Sequence, residues 1–442
     1  MKMLASHVRW NEARESWLRR SLRQAHPVLF TLYTAVSAFS LYTCVYAFRK
    51  SFAAATFDDL LFLGISFKVW LVSAQVVGYA LSKFIGIKII SEIQPSARKN
   101  AILLIAVIAG LSWFGFAITP VPVNILFLFI NGLTLGLVWG LVFGYLEGRT
   151  VTEVLGAALS VSFIFSSGLC RSVGAFVINQ WNVSETWMPW IVSCLFFAPL
   201  VFFLILLDSI PPPNARDVES RTQRKPMLKA DRKRFIATFL PGIVLFVLAY
   251  MLLTTFRDFR DNFSAEIWKE LGADNNAAIY TQTEIPIAII VLFAMAMLML
   301  IKNNKLALMI NHVVILAGML LIGISTFAFE RGFIDSVMWM VLIGLGLYLG
   351  YVPFNSIFFD RMLAAFKFVG TVGFIMYIAD AFGYLGSVSV LFVKEFVSVK
   401  VSWLQFFTKS GYVVSVIGAL LTIGSMTYFS NKGGQNAESR TA

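Results

Sequence analysis

Residues 41–57 read Leu41-Tyr-Thr-Cys-Val-Tyr-Ala-Phe-Arg-Lys-Ser-Phe-Ala-Ala-Ala-Thr-Phe57 and place an arginine at the end of a long apolar run. That run is about 21 residues long, which is enough to cross a bilayer as an α-helix. Tyr42, Tyr46 and Arg49 share one face of this helix, because four and three residues separate them. A charge in such a run requires a protein partner, a watery cavity or the membrane interface. Two interpretations follow: an Arg49–Lys50 pair that extends to the interface, or an anion-binding site.

The composition is that of a helical membrane protein. Of the 442 residues, 58% are hydrophobic and only 14% are charged, a balance that the surface of a soluble domain does not tolerate. The apolar runs are continuous over about 20 residues, whereas the strands of a transmembrane β-barrel alternate over about ten. The three cysteines have no CxxC spacing, so neither a disulfide framework nor a metal site is indicated. We therefore expect an all-α integral membrane protein with no metal and no cofactor.

Twelve apolar runs separated by polar breaks predict twelve transmembrane helices. They cover residues 28–57, 65–90, 100–118, 125–146, 155–178, 187–207, 235–260, 279–301, 306–328, 336–359, 368–392 and 403–429. Between the sixth and seventh runs lie three consecutive prolines and eight Lys or Arg, a composition typical of a solvated linker. The predicted organisation is a basic N-terminal tail 1–27, a six-helix bundle 28–207, a linker 208–234, a second six-helix bundle 235–429 and a C-terminal tail 430–442.

The basic residues are concentrated on one side of the predicted membrane. Counting crossings assigns 24 Lys or Arg to the side of the N-terminus and 5 to the opposite side. The positive-inside rule therefore predicts a multi-pass protein of the cytoplasmic membrane, with both termini and the linker in the cytoplasm. Since the net charge of +12 follows this loop pattern, we expect no nucleic-acid partner. We expect a monomer in the lipid bilayer.

The two halves of the chain repeat one pattern. Arg49 lies 21 residues after the start of the first run, and Arg257 lies 22 residues after the start of the seventh. Spaced glycines recur at 132–136 in the fourth predicted helix and at 344–350 in the tenth, which indicates close helix packing. Two related six-helix bundles that face each other enclose a cavity, and rocking about that cavity gives alternating access.

Four ionisable residues lie inside apolar runs. Lys83 in the second predicted helix and Arg171 in the fifth are too far from the helix ends to reach the interface easily. Glu284 in the eighth and Asp380 in the eleventh are candidates for charge compensation or for carrying a coupled proton. A permanent ion pair of Lys83 or Arg171 with one of these acids is an alternative to a role in binding. Since cations outnumber acids, we expect an electropositive cavity suited to phosphate or carboxylate.

Four short motifs add to this pattern: Tyr46-Ala-Phe-Arg-Lys-Ser-Phe52, Ser82-Lys83-Phe84-Ile85, Gly132-x-x-x-Gly136-x-x-Trp139 and Phe382-Gly-Tyr-Leu-Gly386. They resemble the major facilitator superfamily, and within it the organophosphate:phosphate antiporters, which are glycerol-3-phosphate and hexose-phosphate transporters. In the seventh helix, Arg257 followed by Asp261 is similar to that group's second substrate arginine and the aspartate after it. Arg260 is the alternative candidate for the position of this arginine. The chain departs from the group at Arg171, where a histidine is typical. This departure points to a different substrate or to an internal partner for Arg171.

The resemblance implies a secondary transporter with one substrate site between the two bundles. Its substrate would be a small organic anion, phosphorylated and exchanged for inorganic phosphate. Arg49 and Arg257 would clamp the anion from opposite halves, while the other residues would add positive field or shape the cavity. The expected substrate-binding residues are Arg49, Lys83, Arg171, Arg257, Tyr42, Tyr46 and Trp139.

Two alternatives use the same site. Proton coupling through Glu284 or Asp380 would make the protein an organic-anion symporter. A transporter-like sensor would bind a phosphorylated ligand and signal through the basic linker without translocating it. An enzyme is not expected, because the sequence has no GxGxxG, Walker or HExxH motif and its three histidines suggest no catalytic role.

Overall fold

The structure, a computed structural model, describes residues 17–58, 60–213, 217, 229–273, 276–366, 368, 372–397 and 401–438. Most of the predicted N-terminal tail, much of the predicted linker and the end of the predicted C-terminal tail lie outside these ranges. Among the described helices, eleven are long and apolar enough to cross a membrane. One further helix, Val372–Val397, has 26 residues and occupies the position of the eleventh predicted span. The chain is therefore an all-α membrane protein, as the sequence predicts.

We number the twelve long helices α1 to α12 in chain order. Their bounds are Pro27–Lys50 for α1, Phe67–Glu92 for α2, Arg98–Ile118 for α3, Ile125–Leu146 for α4, Thr152–Trp181 for α5, Met188–Asp208 for α6, Lys229–Asn262 for α7, Ile279–Met299 for α8, Asn304–Glu330 for α9, Ser336–Ala365 for α10, Val372–Val397 for α11 and Trp403–Glu438 for α12. Shorter elements are the helices Trp17–Gln24 and Ser264–Glu270 and the strands β1, Leu61–Phe62, and β2, Ile65–Ser66.

Two helices extend well beyond their predicted bounds. Helix α7 begins at Lys229 rather than at residue 235, and α12 continues to Glu438 rather than ending at residue 429. The apolar run marks only the part of a helix that is suited to the membrane core, whereas the backbone can remain helical through flanking polar residues. The predicted linker is shortened accordingly.

Each half of the molecule repeats the same helix packing. In the first half α1 packs against α5 and α6, α2 against α4, and α3 against α4 and α6. In the second half α7 packs against α11 and α12, α8 against α10, and α9 against α10 and α12. Adding six to each helix number converts the first set of contacts into the second. The two halves contact each other through α2 with α11 and through α5 with α8. These two contacts are equivalent, because α2 corresponds to α8 and α5 corresponds to α11. This is the arrangement of two pseudo-symmetric six-helix bundles.

The equivalent helices α4 and α10 are both interrupted along their length. In α4, two residues separate the segments Ile125–Leu135 and Val138–Leu146. In α10, the α-helical segment ends at Pro353 and a π-helical turn, Phe354–Phe358, follows. Proline lacks an N–H group and cannot continue regular helix hydrogen bonding, which accounts for an irregular turn near it. Irregular backbone inside a membrane protein is tolerated where it is enclosed by protein or lines a cavity.

The spaced glycines of α4 and α10 allow close approach of neighbouring helices. A Cβ atom on Gly132 would overlap the Gln75 carbonyl oxygen of α2. On Gly346 of α10, it would lie 2.6 Å from the Gly318 carbonyl oxygen of α9. In both cases the neighbour is backbone, which cannot rotate away. The glycines therefore set the distance between helix axes.

Gly132→Ala is expected to lower the thermal unfolding midpoint in detergent, because the added methyl group must push α2 and α4 apart. Overpacking of this kind costs about 1–3 kcal/mol. The matched control is Gly424→Ala in α12, where a Cβ would lie at an ordinary contact distance of 3.5 Å from Leu245. The control should be neutral or slightly stabilising, since alanine is the better helix former. Equal midpoints for the two variants would contradict this packing.

Candidate functional site

A cavity of about 310 Å³ lies between the two halves. Side chains of α1, α2, α4, α5, α7, α10 and α11 line it, so both halves contribute to one site. Seven of the nine site residues named from the sequence are in its wall: Tyr42, Tyr46, Arg49, Lys83, Trp139, Arg257 and Asp380. Arg171 and Glu284 are not among the lining residues.

The end of α1 holds Arg49 inside the protein rather than at the membrane interface. The last turn of a helix leaves carbonyl groups unpaired, and no water is available for them in a membrane core. Here the Trp113 indole donates to the Phe48 carbonyl at 2.6 Å, and the Asn131 amide donates to the same carbonyl at 3.0 Å. The Gln75 amide donates to the Arg49 carbonyl at 2.9 Å. These donors from α2, α3 and α4 fix the end of α1, and Arg49 lines the cavity, which favours the second interpretation of this segment.

Arg49 has no acidic partner within the described residues. Its guanidinium carbon lies 3.7 Å from the centroid of the Tyr79 ring, and its buried Nε donates no hydrogen bond to the described part of the chain. The indole Nε1 of Trp139, another lining residue, is likewise buried without an acceptor there. A buried donor without an acceptor costs free energy. Two such donors in one cavity wall favour a ligand that supplies acceptor oxygens.

Lys50 adds a second positive charge beside Arg49. Its side chain is buried, and its Nζ donates to the Asn262 amide oxygen at 2.6 Å. None of the ion pairs among the described residues includes Arg49 or Lys50. The sequence analysis treated Lys50 only as the neighbour of Arg49. The end of α1 therefore concentrates positive charge at one side of the cavity.

Arg257 differs from Arg49 because an adjacent carboxylate compensates its charge. Its guanidinium carbon lies 4.2 Å from the Tyr351 ring centroid, and its Nη2 lies 2.7 Å from the Asp258 Oδ1. Asp258 also accepts a hydrogen bond from Ser387 at 2.8 Å. The resemblance places Asp261 after Arg257 in one motif, but the carboxylate that pairs with Arg257 is that of Asp258. Asp261 instead lies 3.8 Å from an Arg171 nitrogen.

Arg260, the rival of Arg257, points away from the cavity. Its Nη1 lies 2.7 Å from the Glu284 Oε1, and its Nη2 donates to the Met340 carbonyl at 3.2 Å. The side chain is 1% exposed. Arg257 is thus the arginine of α7 that lines the cavity.

Arg171 does not reach the cavity. Its Nη2 lies 3.1 Å from the Glu284 Oε1, and its Nε donates to the Ser167 carbonyl at 2.9 Å. Arg171 belongs to α5 and Glu284 to α8, so the ion pair joins the two halves. The sequence left this structural pairing open as an alternative, and it is the arrangement observed. The expectation that Arg171 adds positive field to the cavity is therefore not supported by its position.

Lys83 and Asp380 face each other across the contact of α2 with α11, which also joins the two halves. The Lys83 Nζ lies 4.0 Å from the Asp380 Oδ2, and the Tyr250 hydroxyl donates to the Asp380 Oδ1 at 2.6 Å. Lys83 lies on α2 and Asp380 on α11, and both line the cavity. Of the two acids named from the sequence, Asp380 is thus the one that lines the cavity.

Aromatic rings form much of the cavity wall. The lining rings are those of Tyr42, Tyr46, Tyr79, Trp139, Phe143, Phe163, Tyr351 and Tyr384. Sequence reasoning missed Tyr79, although it lies four residues before Lys83 and so on the same helix face. It also missed Tyr384, although that residue lies four positions after Asp380 and within the motif Phe382-Gly-Tyr-Leu-Gly386, and it missed Tyr351. The wall suits a ligand with a ring or another flat apolar part.

The end of the molecule that carries the α1–α2 and α7–α8 connections, here called the distal face, is closed by ion pairs between the halves. Lys68 and Glu266 are buried there with a nitrogen to oxygen distance of 2.7 Å. Burial raises the pKa of the Glu266 carboxyl to about 7, against the opposite effect of the Lys68 charge. A second, exposed pair joins Asp58 to Lys269. The sequence analysis did not predict this closure.

Comparisons with known proteins agree with the geometry. A family model described as "Family of unknown function (DUF5690)" matches residues 51–432. No curated protein matches the sequence. Similar solved structures include a D-xylose-proton symporter, with 16% identity, a TM-score of 0.61, and coverage of 91% of this chain and 97% of that chain. A POT family transporter in complex with a thioalcohol-conjugated peptide has 13% identity, a TM-score of 0.61 and coverage of 90% and 96%.

The nucleoside transporter NupG, solved as a point mutant, has 14% identity, a TM-score of 0.58 and coverage of 90% of this chain and 99% of that chain. At such identities the likeness concerns the fold alone. It shows that the chain has the major facilitator fold, which confirms the prediction of two six-helix bundles. The organophosphate antiporter group is not among these neighbours.

We expect substitutions of Arg171 and of Arg49 to have opposite effects on the stability of the protein. Arg171→Met leaves Glu284 with one cation instead of two, so we expect a loss on the order of 2 kcal/mol and a lower unfolding midpoint. Arg49→Met removes a half-buried charge that no described carboxylate compensates, so we expect an unchanged or higher midpoint. Thermal unfolding of both purified variants in one detergent measures the difference. A similar loss in both would show that Arg49 is a structural residue.

Proposed function

This chain belongs to the DUF5690 family, and we propose that it is a secondary transporter that moves a small organic anion across a membrane by alternating access. The observation that carries the proposal is Arg49, a cation without an acidic partner among the described residues, in the wall of a cavity between two pseudo-symmetric bundles. Ion pairs stabilise a scaffold without any ligand. An uncompensated buried cation instead gains its partner when an anion binds.

The charges around the cavity indicate how an anion would bind. Arg49 and Lys50 together would attract the anionic group, and the Trp139 indole would donate a further hydrogen bond. Arg257 would contribute less attraction than the sequence suggests, because Asp258 already compensates it. The anion would therefore bind closer to the N-terminal half than to the C-terminal half. Two adjacent cations suit a phosphate monoester, although a carboxylate shares the same chemistry.

The closed distal face supports alternating access. The two halves are joined there by Lys68 with Glu266 and Asp58 with Lys269, while no ligand need contribute to this closure. Opening toward the distal face would require these pairs to separate as the halves rock. Substrate binding would favour the transition through differential affinity for the two states. The proposed setting is the cytoplasmic membrane, with the distal face outside and the protein acting as a monomer.

Exchange for inorganic phosphate is the mode that the sequence resemblance implies, and we retain it as the first transport mode to test. A second transport mode, coupling to protons, is supported by a separate observation. Asp380 lies in the cavity wall, spans the contact between the halves and pairs with Lys83 at 4.0 Å. A proton that neutralised Asp380 would break this pair and bias the halves toward separation. Proton-coupled symport is therefore the alternative function.

Arg49→Ala is expected to reduce exchange of radiolabelled phosphate at least tenfold in proteoliposomes preloaded with phosphate. The reason is the loss of a charge-assisted hydrogen bond worth about 1.5–3 kcal/mol. The control is Arg331→Ala, an exposed arginine of the loop after α9, which should exchange at the wild-type rate. If the wild type does not exchange phosphate, the antiport mode is wrong and proton-coupled symport becomes the preferred mode. Ligand binding without any flux would support the sensor alternative.

Cross-linking the distal face is expected to stop transport. Asp58→Cys and Lys269→Cys, joined by a short bis-methanethiosulfonate reagent that forms reducible disulfides with both thiols, would tie the two halves together in the closed state. The control joins cysteines at Glu330 and Tyr412, which contact each other within the C-terminal half at 2.6 Å. We expect exchange to fall only in the first variant and to recover on reduction. Undiminished exchange in the cross-linked Asp58–Lys269 variant would contradict rocking about this face. Cys194 is exposed and is replaced in both variants.

A further inference from the structure

A second cavity, of about 470 Å³, lies between α2 and α11. Its walls are almost entirely apolar, with Val76, Val77, Leu81 and Phe84 on one side and Leu385 and Val388 on the other. We call this second cavity the α2–α11 crevice. The function proposed above makes no use of it.

The α2–α11 crevice adjoins the central cavity. Lys83, Asp380 and Tyr384 line both spaces, so the polar end of the crevice is the wall of the anion site. The other end is exposed on the outside of the helices: Val77 is 48% exposed and Leu385 is 60% exposed. Both residues lie in the middle part of their helices, at the depth of the hydrocarbon core. The crevice is therefore an apolar passage from the membrane interior to the shared wall of the anion site, where Lys83 and Asp380 lie 4.0 Å apart.

We propose that the transported anion is amphiphilic, with its anionic group in the central cavity and a single alkyl chain in the α2–α11 crevice. This inference rests on the proposed function and names its substrate class. Two observations favour such an occupant. The charge is confined to the inner end of the passage, and the walls along the rest of it offer no polar partner to a hydrophilic ligand. Each methylene group moved from water into such a site is favourable, so a chain would strengthen binding of the same anionic group.

The competing occupant is a chain of a bilayer lipid that fills the gap between the halves without taking part in binding. A bilayer lipid would leave binding of a soluble anion independent of chain length. A substrate chain would make binding depend on chain length and on the crevice walls. The two occupants therefore differ in a measurable quantity.

The test uses alkyl monophosphates of one, four and eight carbons as probes, titrated calorimetrically into the full-length protein in lipid nanodiscs. Partitioning into empty nanodiscs is measured and subtracted. We expect octyl phosphate to bind the wild type at least tenfold more tightly than methyl phosphate. Val77→Trp, which fills the crevice, should abolish this gain while methyl phosphate still binds. Val244→Trp is the matched control, because Val244 on α7 is 46% exposed and does not line the crevice.

A second pair of variants provides the same test if Val77→Trp folds poorly. Leu385→Trp fills the crevice from α11, and Leu420→Trp on α12, at a residue that is 65% exposed, is its control. Equal affinities along the probe series, with methyl phosphate binding lost in Arg49→Ala, would overturn the amphiphile and leave the proposed function intact. A chain-length gain that survives both crevice variants would also overturn it. If no probe binds in an Arg49-dependent manner, the proposed function fails as well.

Discussion

The central cavity depends on one cation, Arg49, which the last turn of α1 holds half-buried in the cavity wall. A guanidinium group in a membrane protein costs several kcal/mol to desolvate unless charge or polar groups compensate it. Around Arg49 the chain supplies a Tyr79 ring and donors to the carbonyls of the last turn, but no described carboxylate. An apolar residue or an acidic neighbour would remove this cost, and the described part of the chain has neither at this position. A cation of this kind beside a cavity is the physical reason to propose an anion as its ligand.

The remaining intramembrane charges separate into two groups with different roles. In the first group, Glu284 forms ion pairs with both Arg171 and Arg260, and all three side chains are almost fully buried. The pair of Glu284 with Arg171 joins α8 to α5, which is a structural role. Lys83 and Asp380 are more loosely paired across the α2–α11 contact and line the cavity. One contact between the halves is thus closed by buried ion pairs, while the other borders the central cavity. A ligand in that cavity would alter the α2–α11 contact without first breaking the α5–α8 contact.

Hydropathy and loop charge predicted the fold well, because a bilayer leaves few alternatives to helices of about 20 apolar residues. The position of Arg49, Lys83, Arg257 and Asp380 in one wall also agrees with the sequence pattern. Charge partners were predicted only in part. The sequence named Glu284 and Asp380 as acids that could pair with Lys83 or Arg171, and both acids form such a pair. It did not indicate that Arg257 turns back to its neighbour Asp258, since spacing along a helix cannot say which way a long side chain bends. Partners that are distant in sequence leave no local signal.

The location of the α2–α11 crevice has a consequence for the transport cycle. It lies along one of the two contacts between the halves, so its width must change whenever the halves rock against each other. An alkyl chain in the crevice would be held in one state and compressed in the other, which gives the chain different affinities in the two states. The anionic group in the central cavity would experience the same motion through Arg49 and Lys83. Both ends of one amphiphile would then bias a single conformational equilibrium, one through charge and the other through apolar contact.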